Sequence, residues 1–170
     1  PKVPAFHFNT RFLVTGDTWF GGGADMTPTF VNKEDTRLFH NKLEQACNTH
    51  SNKYYPEFKK QCDEYFYLPH RDEARGEGGI FFDHLNTGDW EKDFEFVKNV
   101  GRKTLEATTS IIKKHMNKDW SVEEKEEQLI KRGRYVEFNL LWDRGTLFGL
   151  KTGGSAEAIL MSMPPSVKWS

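Results

Sequence analysis

Only two cysteines, Cys47 and Cys62, occur in the 170 residues, and they form no CxxC pair. They offer neither a zinc pattern nor a disulfide framework, and they read as reduced cytosolic thiols. No apolar run approaches the roughly 18–20 residues that span a bilayer, and no signal-peptide pattern opens the chain. Neither sign of charge dominates: the formal net charge is −1, and the basic IKRGRY of 130–135 follows the acidic VEEKEEQ of 122–128. That balance argues against a broad nucleic-acid face. P-loop, HExxH and GxSxG motifs are missing as well, so the enzyme classes they mark lose their support. Internal repeats, low-complexity tracts and a convincing linker are also lacking. The length suits one domain with a real core, spanning residues 1–170. Because the chain opens at Pro1 inside what reads as a strand, it is expected to be part of a longer protein, with both ends missing.

What the chain does have is aromatic content: 14%, with fourteen Phe and five Trp. In AFHFNTRFLV (5–14), Phe6, Phe8 and Phe12 share one parity and His7, Asn9, Arg11 and Leu13 the other. That is a strand with an apolar face and a chemically dressed face. WFGGGADMTP (19–28) reads as a strand end followed by a glycine turn. Asn32 caps a helix to about Thr49, with Asp35 in a box-like position. A second helix covers about 55–67, and a short strand GIFFDHL follows. Asp89 then starts a long helix to about His115, with Phe94, Val97, Leu105, Thr108 and Ile112 turned inward. A charged helix at about 121–132 leads to YVEFNLLWD (135–143), read as a strand with Val136, Phe138, Leu140 and Trp142 on one face. DRGT turns this strand into a hairpin with LFGLK, and a glycine turn and short helix follow. The class expected from these elements is α+β, a sheet at least partly antiparallel and covered by helices.

The glycines of HRDEARGEGGIFFD (70–83) are not a nucleotide loop. A dinucleotide site needs strand, glycine loop, then helix; here a helix precedes the loop and a strand follows, and Glu77 would repel phosphate. Arg71 and Arg75 bracket Asp72 and Glu73, and Arg144 stands beside Asp143. Converging guanidinium groups suit a polyanionic small molecule; the other reading is local ion pairs on a solvated surface. His7, Asn9 and Arg11 can address one ligand together from a shared strand face. His7, His40 and His70 come from three elements and would bind a metal only if the fold brought them together. Asp83, at the end of the IFF strand, needs a partner if buried.

Taken together, HRDEARGEGGIFFD, WFGGGADMTP, RGRYVEFNLLWDRGTLFGLKTGG and ILMSMPPSVKW closely resemble the aerobic, oxygen-dependent coproporphyrinogen III oxidases. The resemblance runs over essentially the whole chain, corresponding to the central and later portion of longer family members. It implies a broad, largely antiparallel β-sheet flanked by helices on both faces, assembled as a homodimer through Tyr135 to Ser170. It also implies oxidative decarboxylation of two propionates of coproporphyrinogen III to vinyls, giving protoporphyrinogen IX in haem biosynthesis. Oxygen is then the co-substrate, carbon dioxide and hydrogen peroxide are released, and no organic cofactor is needed. The implied compartment is cytoplasmic, or mitochondrial in a eukaryote.

Position by position, the resemblance implies His7 as proton donor and Asn9, Thr10 and Arg11 as a substrate-contacting tripeptide. Gly153, Gly154 and Ser155 match a substrate turn, and Asp143, Arg144 and Asp83 match residues implicated in catalysis. His7, His40 and His70 match divalent-metal ligands of bacterial members. Arg71 and Arg75 join Arg11 and Arg144 as candidate propionate holders. Three departures stand out: TGGS for the usual TGGR, KKQC for KKWC, and FFDHL for FFDDL. A non-catalytic tetrapyrrole-binding or dimerisation relative of the same fold is the alternative. A metal-dependent oxygenase built on the three histidines is a third reading.

Overall fold

A computed structural model describes residues 1–169, with Thr15 described by its backbone alone. The chain is α+β, helices with antiparallel sheet, as expected. It folds as two compact units. One comprises Lys2–Phe66 and Gly76–Lys118; the other comprises Pro1, Tyr67–Arg75 and the residues from Asp119 onward.

The first unit holds strands β1 (Ala5–Thr15), β2 (Asp17–Thr27) and β5 (Gly78–Leu85) with helices α1 (Lys33–Asn48), α2 (Tyr54–Tyr65) and α3 (Trp90–His115). Its three strands lie in the order β1-β2-β5, all antiparallel. Gly16, at φ 85°, turns β1 back into β2. Side chains alternate along a strand, so the even residues of β1 face one way and the odd ones the other. Met26, Ala24 and Phe20 of β2 share the even side, as do Ile80 and Phe82 of β5, by the register of pairing. This apolar side packs on Phe39 and Leu43 of α1, Phe58 of α2, and Phe96, Val97 and Val100 of α3. Phe82 lies 5.3 Å from Phe58 and 5.2 Å from Phe96 between ring centres. Each such buried ring contributes about 2–3 kcal/mol.

The triple glycine is not a turn. Gly21–Gly23 run through the middle of β2, where neighbours approach too closely for side chains. A Cβ on Gly22 would stand 2.6 Å from the Asn9 carbonyl, and one on Gly23 would stand 2.5 Å from that of Ile80. Asn32 does cap α1, accepting from the backbone N–H groups of Glu34 and Asp35 at 3.1 Å. Asp35 forms no capping box; it is buried and accepts from His115 Nε2 at 2.5 Å and Lys114 Nζ at 2.8 Å. The buried stripe of α3 is Phe96, Val97, Val100, Thr104, Ala107, Ile111 and His115, and Leu105 points to solvent, 67% exposed. The inward list read from the sequence mixed two adjacent stripes of one helix.

The second unit carries the two-stranded β3 (Tyr67–Leu68) and β4 (Glu73–Ala74) and helices α4 (Val122–Leu141), α5 (Arg144–Lys151) and α6 (Ala156–Ile159). Here the expected hairpin at 135–151 is overturned: YVEFNLL completes α4, and LFGLK lies in α5. Ser121 and Glu124 close a capping box at the start of α4. Adding residues to an existing helix is far easier than starting one, so the helix runs on through β-prone residues. Tyr135, Val136, Phe138 and Asn139 are buried at helical spacing, whereas Leu140 and Trp142 are exposed. The alternation of Val136, Phe138, Leu140 and Trp142 fits a strand, whereas the helix buries a different set of neighbours.

Candidate functional site

The odd-numbered side of β1 assembles a polar face whose members come from all three strands of the first unit. Antiparallel register sets His7 opposite Asp25, Asn9 opposite Gly23, Arg11 opposite Gly21 and Leu13 opposite Trp19. On β5, Phe81 pairs with Gly23. Beyond it the register shifts: Phe82 pairs with Gly22 but Leu85 with Phe20, so Asp83 and His84 together oppose Gly21. This bulge turns both residues onto the polar face while Phe82 and Leu85 stay in the core.

His7 Nδ1 is 3.1 Å from Asp25 Oδ1, and Asp25 is almost wholly buried. A carboxylate on Nδ1 holds an imidazole in the tautomer whose Nε2 is the base. Arg11 Nη2 is 3.2 Å from Asp83 Oδ1, and Arg11 Nη1 donates to Asn9 Oδ1 at 3.2 Å. The guanidinium lies over Gly21 and packs 5.5 Å from the Phe81 ring centre and 6.0 Å from that of Trp19. Both partners of this ion pair are partly exposed, so it stabilises the fold by about 1 kcal/mol or less; its main effect is to aim Arg11. Thr10 has the opposite parity and does not share the face of Asn9 and Arg11.

His40 is spent elsewhere. Its Nδ1 contacts Tyr55 Oη and its Nε2 the Glu77 carbonyl, each at 2.9 Å. Burial pushes the Tyr55 hydroxyl up to about 12, so it stays protonated and donates to Nδ1.

The second unit has its own polar cluster, centred on Glu137 of α4. Glu137 accepts from Arg71 through both oxygens, at 2.6 and 2.9 Å, and from His70 Nε2 at 2.8 Å. The Arg71 guanidinium and the His70 N–H hold its carboxyl down at about 2. Trp142 Nε1 donates to His70 Nδ1 at 3.0 Å, with the rings stacked 5.9 Å apart. Asp72 accepts from Tyr67, and Glu73 pairs with Arg134 at 3.1 Å. Arg75 is buried, its guanidinium 5.4 Å from the Tyr135 ring centre and 5.0 Å from that of Phe138.

Asp143 caps α5, its carboxylate accepting from Thr146 N and Oγ1 at 2.7 Å. Arg144 is the exposed first residue of that helix. Gly153 (φ 75°) and Gly154 turn α5 into α6, and Ser155 caps α6. Asp25, the partner of His7, is absent from the sequence-derived candidates; reading a hairpin through Gly16 places it opposite His7. Glu137 left no comparable signal, and His84 is the histidine of the FFDHL departure.

Both ring nitrogens of His40 and of His70 are engaged, which does not fit metal coordination by either. Among the described residues no group of three or more His, Cys, Asp or Glu side chains could hold a metal ion. Among them, too, no helix is long and apolar enough to cross a membrane.

Comparison with known proteins agrees with the motif resemblance. The profile of the coproporphyrinogen III oxidase family matches residues 1–170. The oxygen-dependent coproporphyrinogen-III oxidases of Rickettsia bellii, Rickettsia africae and Rickettsia akari are each 55% identical to it over 170 residues. The match takes in 100% of this chain and 61% of the length of each relative. Matched along its whole length, the chain belongs to the coproporphyrinogen III oxidase family.

Proposed function

We propose that the protein to which this chain belongs converts two propionates of coproporphyrinogen III to vinyls, with dioxygen as oxidant. The geometry that carries this reading is Arg11, held by Asn9 and Asp83 above Gly21 on a sheet face that has no Cβ in its middle. A flat tetrapyrrole needs a floor without side chains and a cation for each carboxylate, and a guanidinium meets a carboxylate bidentately.

Each turn of the reaction balances as propionic acid plus O2 giving vinyl, CO2 and H2O2. The β-carbon loses a hydrogen with its electron pair, the carboxyl proton is released as CO2 departs, and dioxygen gains two electrons and two protons. An electron-rich porphyrinogen reacts with oxygen itself, so the residues supply position and charge. Arg11 binds the carboxylate of the reacting or a neighbouring ring. Asn9 and Thr10 complete the substrate contact implied by resemblance, as do Gly153, Gly154 and Ser155. His7, backed by Asp25, exchanges the proton. Asp83 accepts a pyrrole N–H hydrogen bond and stabilises the charge that develops as oxygen attacks. Asp143 and Arg144 keep the catalytic role that family resemblance assigns them, with Asp143 holding α5 as well. Arg71, which bonds Glu137, and Arg75, which lies against two aromatic rings, remain candidate holders of the other propionates. No step runs through a metal.

Homodimerisation through Tyr135 to Ser170 and a cytoplasmic location complete the proposal. The non-catalytic alternative lacks support from the site, because His7, Asp25, Arg11 and Asp83 are all present, His7 paired with Asp25 and Arg11 with Asp83. The test uses the full-length protein: anaerobic loading with coproporphyrinogen III, then admission of air. Protoporphyrinogen and stoichiometric peroxide are expected. Arg11→Ala should raise KM at least about tenfold, the scale of about 1.4 kcal/mol of lost binding. Absence of vinyl product from the wild-type protein sinks the proposal.

A further inference from the structure

We infer that His84 binds a substrate carboxylate beside Arg11; this rests on the substrate proposed above. The first observation is where the bulge places the residue. Without the extra residue opposite Gly21, strict alternation would send the residue after Asp83 to the core side. Instead His84 lies exposed on the polar face, its ring 4.3 Å from that of Trp19, the indole that also packs against Arg11. Arg11, Trp19, Asp83 and His84 form one continuous patch.

The second observation is chemical availability. The chain has six histidines. His7 bonds Asp25, His40 bonds Tyr55 and Glu77, His50 bonds Asn99, His70 bonds Glu137, and His115 bonds Asp35. His84 alone makes no ring hydrogen bond among the described residues. Its backbone is at φ 52°, in the left-handed region that few side chains adopt, though histidine does so more readily than most. A residue held in that conformation with both ring nitrogens open is positioned for something outside the chain.

The third is charge. Asp83 already takes one side of the Arg11 guanidinium. An incoming carboxylate would therefore bring a second negative charge to a single cation. An imidazole N–H next to Asp83 supplies the missing donor, and His84 is the residue the bulge brings there. The four carboxylates of the proposed substrate require several such points, so one clamp at Arg11 is not sufficient.

The experiment compares wild-type full-length protein with His84→Gly and His84→Asp. Glycine keeps the positive φ and removes the ring; aspartate keeps a polar side chain and adds a negative charge. Dissociation constants for coproporphyrinogen III are measured anaerobically, and KM and kcat in air. His84→Gly should weaken binding about fivefold and His84→Asp about twentyfold or more, each with kcat within about twofold and an unchanged thermal midpoint. Unchanged dissociation constants in both variants, with wild-type turnover intact, would overturn this inference and leave the proposed function standing. A wild-type protein that neither binds nor converts the tetrapyrrole overturns both. If His84→Asp fails to fold, His84→Gly decides alone.

Discussion

Arg11 occupies the space that a side chain at Gly21 would need: a Cβ there would stand 2.7 Å from Arg11 Nε and 2.9 Å from its Cζ. The obstacle is the far end of a flexible side chain, not backbone. Gly21→Ala should therefore fold with a stability change within about 1 kcal/mol, since alanine also suits a strand interior better than glycine. It should nevertheless displace the guanidinium from Asp83. The expected outcome is a KM for coproporphyrinogen III raised about tenfold at near-normal thermal stability. A normal KM in a folded variant would show that Arg11 need not be held there.

The same substitution at Gly79 should behave in the opposite way. A Cβ at Gly79 would come within 1.9 Å of the Ala24 carbonyl oxygen, and the β2–β5 pairing leaves that backbone nowhere to move. Gly79→Ala should cost about 3 kcal/mol or abolish folding, as overpacking against main chain does. Chemical denaturation of the two glycine variants side by side checks both.

Glu137 carries a pH dependence whose direction is set by its depressed pKa. The folded value is about 2 against an ordinary 4.5, so the folded state binds the proton less tightly than the unfolded chain. The contribution is complete above about pH 4.5 and is lost as pH falls toward about 2. Glu137→Gln should cost about 1.5–3 kcal/mol at neutral pH, the range for hydrogen bonds to charged groups. It should also flatten the acid limb of stability in that window. An acid limb identical to that of wild type would exclude Glu137 as its source.

Asp143 separates capping from chemistry. Asparagine caps a helix about as well as aspartate, whereas alanine loses the cap at a cost of about 1 kcal/mol. Asp143→Asn should keep wild-type stability and substrate binding while turnover collapses, as its proposed catalytic role requires. Asp143→Ala should lose both stability and turnover. Turnover near wild type in Asp143→Asn would reduce the residue to its place at the start of α5.

Much of the first unit could be read in the chain itself. The parity of β1, the Asn32 and Asp89 caps and the strand GIFFDHL are local signals, written within a few residues of where they act. The face that carries His7, Asn9 and Arg11 follows from the same parity. The second unit was less legible. YVEFNLLWD alternates well enough for a strand, yet it lies downstream of a strong capping box, and propagation from Ser121 decided the matter.

The family, the α+β class and the chemistry-bearing types at His7, Arg11 and Asp83 are properties of the sequence, because they depend on residue identity and short-range order. Partnership is different. Asp25 behind His7, Glu137 between His70 and Arg71, and Arg75 laid on Tyr135 and Phe138 all join residues far apart in the chain. Such pairs form only when strand register or helix packing brings them within hydrogen-bond or van der Waals reach. A one-residue bulge opposite Gly21 decides that Asp83 and His84 face the same way. Tertiary structure settled which charges meet, because a single step in register reverses the face of every side chain beyond it.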